Sequence, residues 1–144
     1  MAIKLNRVRS NNIHGGIQMK QQIKTEKASG AIGPYSQGIK AGNLVFTSGQ
    51  LPIDLTVSEE LITDVKAAAR ATLNNVKAIL EEGGASMDDV VKVTVFLTDM
   101  ANFAAVNEVY AEFFNEPFPA RSCFAVAGLP KGAIVEIEAV AFVK

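Results

Sequence analysis

The sequence predicts a single α+β domain, a mixed sheet layered with two helices. Three patterns carry that prediction. Val90 to Thr98 alternates, apolar residues recur at helical spacing from Thr63 to Glu82, and the whole chain reads β-β-α-β-α-β-β. Its 144 residues suit one hydrophobic core, and the 49% hydrophobic and 20% charged composition excludes global disorder, because enough apolar surface is present to offset chain entropy.

The first two strands form a hairpin. Gln37 to Lys40 and the β-rich run Leu44-Val-Phe-Thr-Ser48 flank the turn residues Ala41-Gly42-Asn43. The first helix places Val65, Ala68, Ala69, Thr72, Val76, Ile79 and Leu80 on one face, and Lys66, Arg70, Asn74, Lys77 and Glu81 on the wet side. Gly83-Gly84 ends it. In the strand that follows, Val91, Val93, Val95 and Leu97 are expected on one face, with Lys92, Thr94, Phe96 and Thr98 on the other. Asp99 or Asn102 can cap a second helix in which Phe103, Val106, Tyr110, Phe113 and Phe114 recur at three- and four-residue steps, until Pro117 and Pro119 stop it. Arg121 to Val126 and Ile134 to Val143 are two further strands joined by Gly128-Leu-Pro-Lys-Gly132. No solenoid repeat or low-complexity tract interrupts this order.

Residues 1–20 read differently. Lys4, Arg7, Arg9 and Lys20 stand there without an acid or an apolar period, so this segment is expected to be a basic extension that contributes nothing to function, with the working domain at 21–144. The only histidine, His14, lies in it beside Gly15-Gly16, as a loop residue would.

Charge and cysteine content exclude several classes of function. Fourteen basic against fifteen acidic residues give a net charge of −1, too balanced for a nucleic-acid funnel. One cysteine, Cys123, allows no internal disulfide, and with no Cys/His cluster a metal site has no soft ligands. No apolar run approaches the roughly 18 residues needed to span a bilayer, so no membrane partner is expected. A reducing, cytoplasmic setting fits. Without a domain histidine, Ser-His-Asp and Cys-His mechanisms are closed, and no GxGxxG or Walker loop is present for a nucleotide.

The ionisable candidates are therefore few, and each has two readings. Arg121 opens a strand on the same face as Cys123; it can fork onto a carboxylate or form a surface ion pair. Glu136 and Glu138 share one face of the last strand, opposite Val135, Ile137 and Ala139. A shielded member of that pair would have a raised pKa suited to handling a water proton; an exposed pair is simply the wet face of a sheet. Cys123 reads as a small core residue, since no histidine is available to activate it. Tyr35, in Gly33-Pro-Tyr-Ser-Gln-Gly38, can plug a pocket or pack on the hairpin. Gly49 can admit a ligand to the backbone or mark a bulge, and Asn107 sits on the second helix, where exposure is the default.

Six segments occur in order: Ala31-Ile-Gly-Pro-Tyr-Ser-Gln-Gly38, Thr47-Ser-Gly-Gln50, Asn74-Asn-Val-Lys77, Phe103-Ala-Ala-Val-Asn107, Phe118-Pro-Ala-Arg-Ser-Cys123 and Ile134-Val-Glu-Ile-Glu-Ala139. With them the chain resembles the reactive intermediate deaminase A family (RidA, YjgF) over about Ile23 to Lys144. The Pro-Ala-Arg-Ser-Cys and Glu-Ile-Glu-Ala pair belongs to its deaminating branch. The resemblance implies a chorismate-mutase-like subunit with two helices on one face of its sheet, assembled as a homotrimer with clefts between neighbours. It implies cofactor-free hydrolysis of 2-imino acids and their enamine tautomers, such as 2-iminobutanoate and 2-iminopropanoate, to 2-oxo acids and ammonia. The functional link is to pyridoxal-phosphate dehydratases that release those intermediates, without a stable complex.

By the same resemblance, Arg121 holds the substrate carboxylate and Glu136 orients and deprotonates the attacking water. Cys123 contributes backbone groups, Tyr35, Gly49 and Asn107 line or shape the cleft, and Glu138 is structural. The chain departs from the family where a Pro-x-Thr-Gly turn usually follows the Ser-Gly-Gln strand. It has Asp54-Leu-Thr-Val-Ser-Glu-Glu-Leu61 there, so any difference is expected in substrate size rather than in the reaction. Two rival readings accompany this one. A non-catalytic trimeric sensor of 2-oxo acids would need Arg121 but not Glu136. An RNA-cleaving protein would need a histidine pair or a basic, aromatic groove, and the sequence has neither.

Overall fold

The computed structural model describes residues 19–144; apart from its last two residues, the expected N-terminal extension, with His14, lies outside them. The strands are β1 (Gln21–Ile23), β2 (Gly38–Ala41), β3 (Leu44–Thr47), β4 (Val90–Leu97), β5 (Ala120–Ala125) and β6 (Val135–Phe142). The helices are α1 (Val65–Glu82) and α2 (Phe103–Phe113). The strands form one sheet in the order β1-β2-β3-β6-β4-β5, antiparallel throughout except for the parallel β4–β5 pair. This is the mixed α+β architecture expected from the sequence, extended by the short β1.

Both helices cover one face of the sheet. Leu73, Val76, Ile79 and Leu80 of α1 and Val106 and Val109 of α2 pack with Val93, Val95 and Leu97 of β4 and Val135, Ile137 and Ala139 of β6. Asp64 caps α1 by accepting from the Ala67 amide at 3.0 Å, and Gly84 turns the chain out of it at φ +86°. On the wet side, Lys66 pairs with Glu108 and Arg70 forks onto Glu112, tying α1 to α2.

Three expectations are corrected. Val91 is exposed, not buried, because the β4–β6 register slips between Val90 and Lys92 and Val90 takes its place on the core face. β5 and β6 follow each other in sequence but are not neighbours. β6 inserts between β3 and β4, which leaves β5 as an edge strand, and the 3₁₀ turn Pro130–Gly132 lies in the connection that carries the chain across. Asn102 makes no side-chain cap; Asp99 caps the 3₁₀ turn Met100–Asn102 that leads into α2.

Among the described residues, no helix covers the other face of the sheet. Register places Phe46, Val140, Glu138, Glu136, Phe96 and Phe124 there, with Leu44 opposite Phe142 at one end. Leu44, Phe46, Phe124 and Phe142 are exposed, and Phe96 and Phe124 meet edge to face at 5.3 Å.

Candidate active site

A cavity of about 550 Å³ opens at the end of β3 where it meets β6, lined by Tyr35, Ser48, Gly49, Ile53, Lys131 and Glu136 among others. Its floor is fixed by backbone pairing. The Gln50 amide donates to the Ile137 carbonyl at 2.8 Å, and the Ile137 amide donates back to Gln50 at 3.2 Å. That bridge sets Gly49 against the Glu136 side chain. A Cβ at Gly49 would lie 2.6 Å from Glu136 Oε2 and 2.7 Å from its carboxyl carbon, so only glycine leaves the carboxylate where it is. The β3–β6 register slips by one residue here, from Phe46↔Val140 to Gln50↔Ile137, so the glycine lies in a bulge and also makes room for the Glu136 side chain.

The cavity wall is held by polar side chains that no sequence pattern singles out. Gln37 is buried. Its amide oxygen accepts from the Thr25 amide at 2.8 Å, while its amide nitrogen donates to the carbonyls of Thr25, Ala28 and Ser29 at 3.0, 3.2 and 2.8 Å. Those bonds fold the 25–30 segment over the cavity, and Ser48 Oγ donates to the Ser36 carbonyl at 2.6 Å to hold the next turn. Tyr35 is exposed on this wall and its hydroxyl accepts from the Ile32 amide at 3.3 Å, so it faces the cavity and does not pack under the hairpin. Lys131 holds a left-handed backbone at φ +58° beside Gly132 at φ +76°, and reaches the same rim.

Glu136 and Glu138 share the helix-free face and are half-buried, as alternation predicted. Burial pushes the Glu136 carboxyl above the usual carboxylate range, and the nearby Glu138 charge adds to the rise. A carboxylate with a raised pKa, beside a cavity and free of ion pairs among the described residues, is suited to exchanging protons with water.

The second group of predicted residues assembles elsewhere. Arg121 lies on β5 with Cys123, both half-buried and on the helix-covered face opposite Val93 and Val95. Its Nη1 donates to Asn107 Oδ1 at 2.6 Å, and its guanidinium lies 4.6 Å from the Tyr110 ring centroid and 5.5 Å from that of Phe103. Asn107 therefore has a partner, contrary to the default of exposure. Cys123 packs against the core; burial pushes its thiol up, with Arg121 opposing in part, so the thiol stays protonated as a small core residue should.

One chain does not bring the two groups together. Glu136 pairs with Phe96 and Phe96 with Phe124, whereas Arg121 pairs with Val93 and Val93 with Ala139. The two residues are thus on opposite faces of the sheet, two strands and three residues apart, which is on the order of 14 Å between Cα positions. Among the described residues no cluster of three His, Cys, Asp or Glu side chains is placed to hold a metal ion, and no helix is long and apolar enough to cross a membrane.

Fold and site together define a small α+β protein with a carboxylate-bearing cavity at one sheet end and a carboxylate-free arginine at the opposite edge. The family model described as Endoribonuclease L-PSP matches residues 25–143. A RutC family protein from Pyrococcus horikoshii is 54% identical over 124 residues, covering 86% of this chain and 98% of the relative. An Escherichia coli K12 protein named 2-iminobutanoate/2-iminopropanoate deaminase is 51% identical over 126 residues, covering 85% and 98%. The crystal structure of E. coli TdcF with bound serine superposes with a TM-score of 0.81 at 49% identity, covering 86% of this chain and 99% of that one. The chain belongs to this family, the RidA family of reactive intermediate deaminases and RutC proteins.

Proposed function

We propose that this protein hydrolyses 2-imino acids, including 2-iminobutanoate and 2-iminopropanoate, to 2-oxo acids and ammonia, in clefts formed between copies of a cytoplasmic homotrimer. The observation that carries the reading is the Glu136 carboxylate with its raised pKa, lodged against Gly49 at the cavity wall. A pure carboxylate binder needs Arg121 but has no use for a shielded acid beside a cavity. The name of the E. coli relative supports the substrate class, and serine bound to TdcF supports a site for small amino-acid-like molecules.

The chemistry follows from the groups present. Arg121 forks onto the substrate carboxylate, which fixes the adjacent imine carbon. Glu136 takes a proton from water as the oxygen attacks that carbon and the C=N electron pair moves to nitrogen. Returning that proton to nitrogen gives a tetrahedral intermediate with a hydroxyl and an amine; Glu136 then passes the hydroxyl proton to the amine, the C–N bond breaks as the carbonyl forms, and ammonia leaves with the carboxylate regenerated. The substrate carboxylate and imine carbon are directly bonded, so Arg121 and Glu136 must converge on one small molecule. Their placement on opposite faces of one sheet makes that impossible within a chain, and the exposed Leu44, Phe46, Phe124 and Phe142 on the helix-free face give neighbours an apolar surface to share. Dehydratases that eliminate water from serine or threonine supply such imines.

Mixing two inactive variants tests this. Arg121→Ala and Glu136→Gln are each expected to release little ammonia from freshly generated 2-iminobutanoate. Unfolded together and refolded as mixed trimers at equal amounts, about one quarter of the clefts regain an intact Arg121 and an intact Glu136 from different chains. Ammonia release should recover to that fraction of the parent. No recovery in trimers shown by light scattering to have mixed would sink the shared-cleft model.

A further inference from the structure

Phe103, Asn107 and Tyr110 fall at i, i+4 and i+7 on α2, one stripe of the helix, and all three meet the same guanidinium. Asn107 Oδ1 takes a hydrogen from Nη1. The Tyr110 ring lies beneath the guanidinium, is buried, and is backed in turn by Phe114 at 4.5 Å between centroids. Among the described residues its buried hydroxyl has no hydrogen-bond partner, whereas its ring meets both the guanidinium and Phe114. Burial pushes that hydroxyl up, which keeps the ring neutral beneath the cation. Asn107 occupies one nitrogen at one corner of the fork, and among the described residues the Nε and Nη2 edge has no partner, which leaves it to receive a carboxylate in bidentate fashion.

From this geometry we infer that Tyr110 is a positioning residue for substrate binding, its ring acting as the platform that holds Arg121 flat with its free edge presented to the 2-imino acid carboxylate. This rests on the assignment of Arg121 to carboxylate binding made above. An arginine has four side-chain torsions to immobilise before it can fork. A rigid aromatic face with an amide at one corner removes that freedom before substrate arrives. Tyr110 touches neither substrate nor water, so its loss should appear in binding and not in the chemical step.

The test is the kinetics of 2-iminobutanoate hydrolysis with 2-oxobutanoate as competitive inhibitor. Tyr110→Leu should raise KM and the inhibition constant by about 3- to 30-fold, the worth of a desolvated cation–π contact, while kcat stays within about threefold of the parent. Tyr110→Phe keeps the ring and should restore parental KM. Tyr110→Met, a flexible filler of the same space, serves as the second probe if the leucine variant does not fold. The sharpest arm is a double-mutant cycle. Arg121→Lys keeps the charge but abolishes the fork, so adding Tyr110→Leu to it should cost little more, whereas a merely structural tyrosine would multiply the two losses. Multiplying losses, unchanged KM in the leucine and methionine variants, or a phenylalanine variant as poor as leucine would each overturn the inference. A parent that neither releases ammonia nor binds 2-oxobutanoate would instead overturn the functional reading beneath it.

Discussion

The Glu136 end of the sheet and the Arg121 edge are built by opposite means. Around Glu136 the structure is made by backbone: a two-way bridge between Gln50 and Ile137, a glycine with no room for a methyl group, and a loop pinned by four hydrogen bonds to the Gln37 amide. Around Arg121 it is made by side chains, two aromatic rings and an amide on one helical stripe. The first arrangement shields a carboxylate and leaves a cavity before it; the second holds a cation in place. Acid chemistry needs desolvation and space, and recognition of an anion needs a fixed fork, so under the proposed reaction each end supplies a different half.

The largest effects should come from removing the central group of each end, and they should differ in kind. Glu136→Gln retains shape and hydrogen bonding, so turnover should fall by roughly 10²–10⁴-fold, the usual worth of a positioned general base, with 2-oxobutanoate binding near the parental value. Arg121→Ala should instead weaken 2-oxobutanoate binding by about 2–5 kcal/mol, because it leaves the ligand charge unpaired, and catalysis should fall with it. Calorimetric titration with the oxo acid beside an ammonia assay reads both. If the two variants lost binding and turnover in the same proportion, the division of labour between the two ends would collapse.

A smaller effect is expected from a single methyl group. In Gly49→Ala the new Cβ occupies space now held by the Glu136 carboxyl, and its neighbours on the Gln50–Ile137 bridge are backbone that cannot retreat. The carboxylate is the softer partner, so it must swing. Turnover should fall by about 10- to 100-fold with a stability loss of roughly 1–3 kcal/mol, typical of overpacking. Parental activity in this variant would show that the position of Glu136 against the cavity wall is irrelevant to catalysis.

What the sequence revealed of these two ends differed as well. Alternation alone placed Glu136 with Glu138 on one face of their strand and Arg121 with Cys123 on one face of theirs, because a period of two is local information. Spacing along one strand does not say which strand lies beside it. That β6 inserts between β3 and β4 is a long-range fact, and it alone puts Arg121 and Glu136 on opposite faces. Gln37 and Tyr110 went unassigned for the same reason: a buried glutamine and a helix aromatic show their roles only when the loop or the arginine they serve folds against them. Val91 was misplaced by a bulge, because nothing in the adjacent pair Val90-Val91 marks which of the two turns to the core. The pairing of Arg121 with Glu136 is implied only by the resemblance to a family, carried by ordered motifs, and periodicity has no means to suggest it.

The smallest effect expected is one of stability, and it separates the two ends by pH. Burial holds the Glu136 carboxyl above the ordinary carboxylate range, with Glu138 adding to the rise. Between the unfolded and folded pKa values the native protein binds more protons than the unfolded chain, so stability falls as pH rises through that window and stays at the lower level above it. Glu136→Gln removes the titration. Its melting temperature should match the parent below the ordinary carboxylate range, then exceed it by a margin that grows through the window and levels off at roughly 1–3 °C near neutrality. Thermal melts across pH 4 to 8 measure this. The acid limb of parental activity should fall in the same window, since one proton governs both. Arg121→Ala then tests convergence: an arginine facing Glu136 across a shared cleft opposes the rise in its pKa, so deleting it should move the limb of residual activity to higher pH. A limb that does not move would leave the two ends electrostatically separate, and the site would have to be built from Glu136 without Arg121.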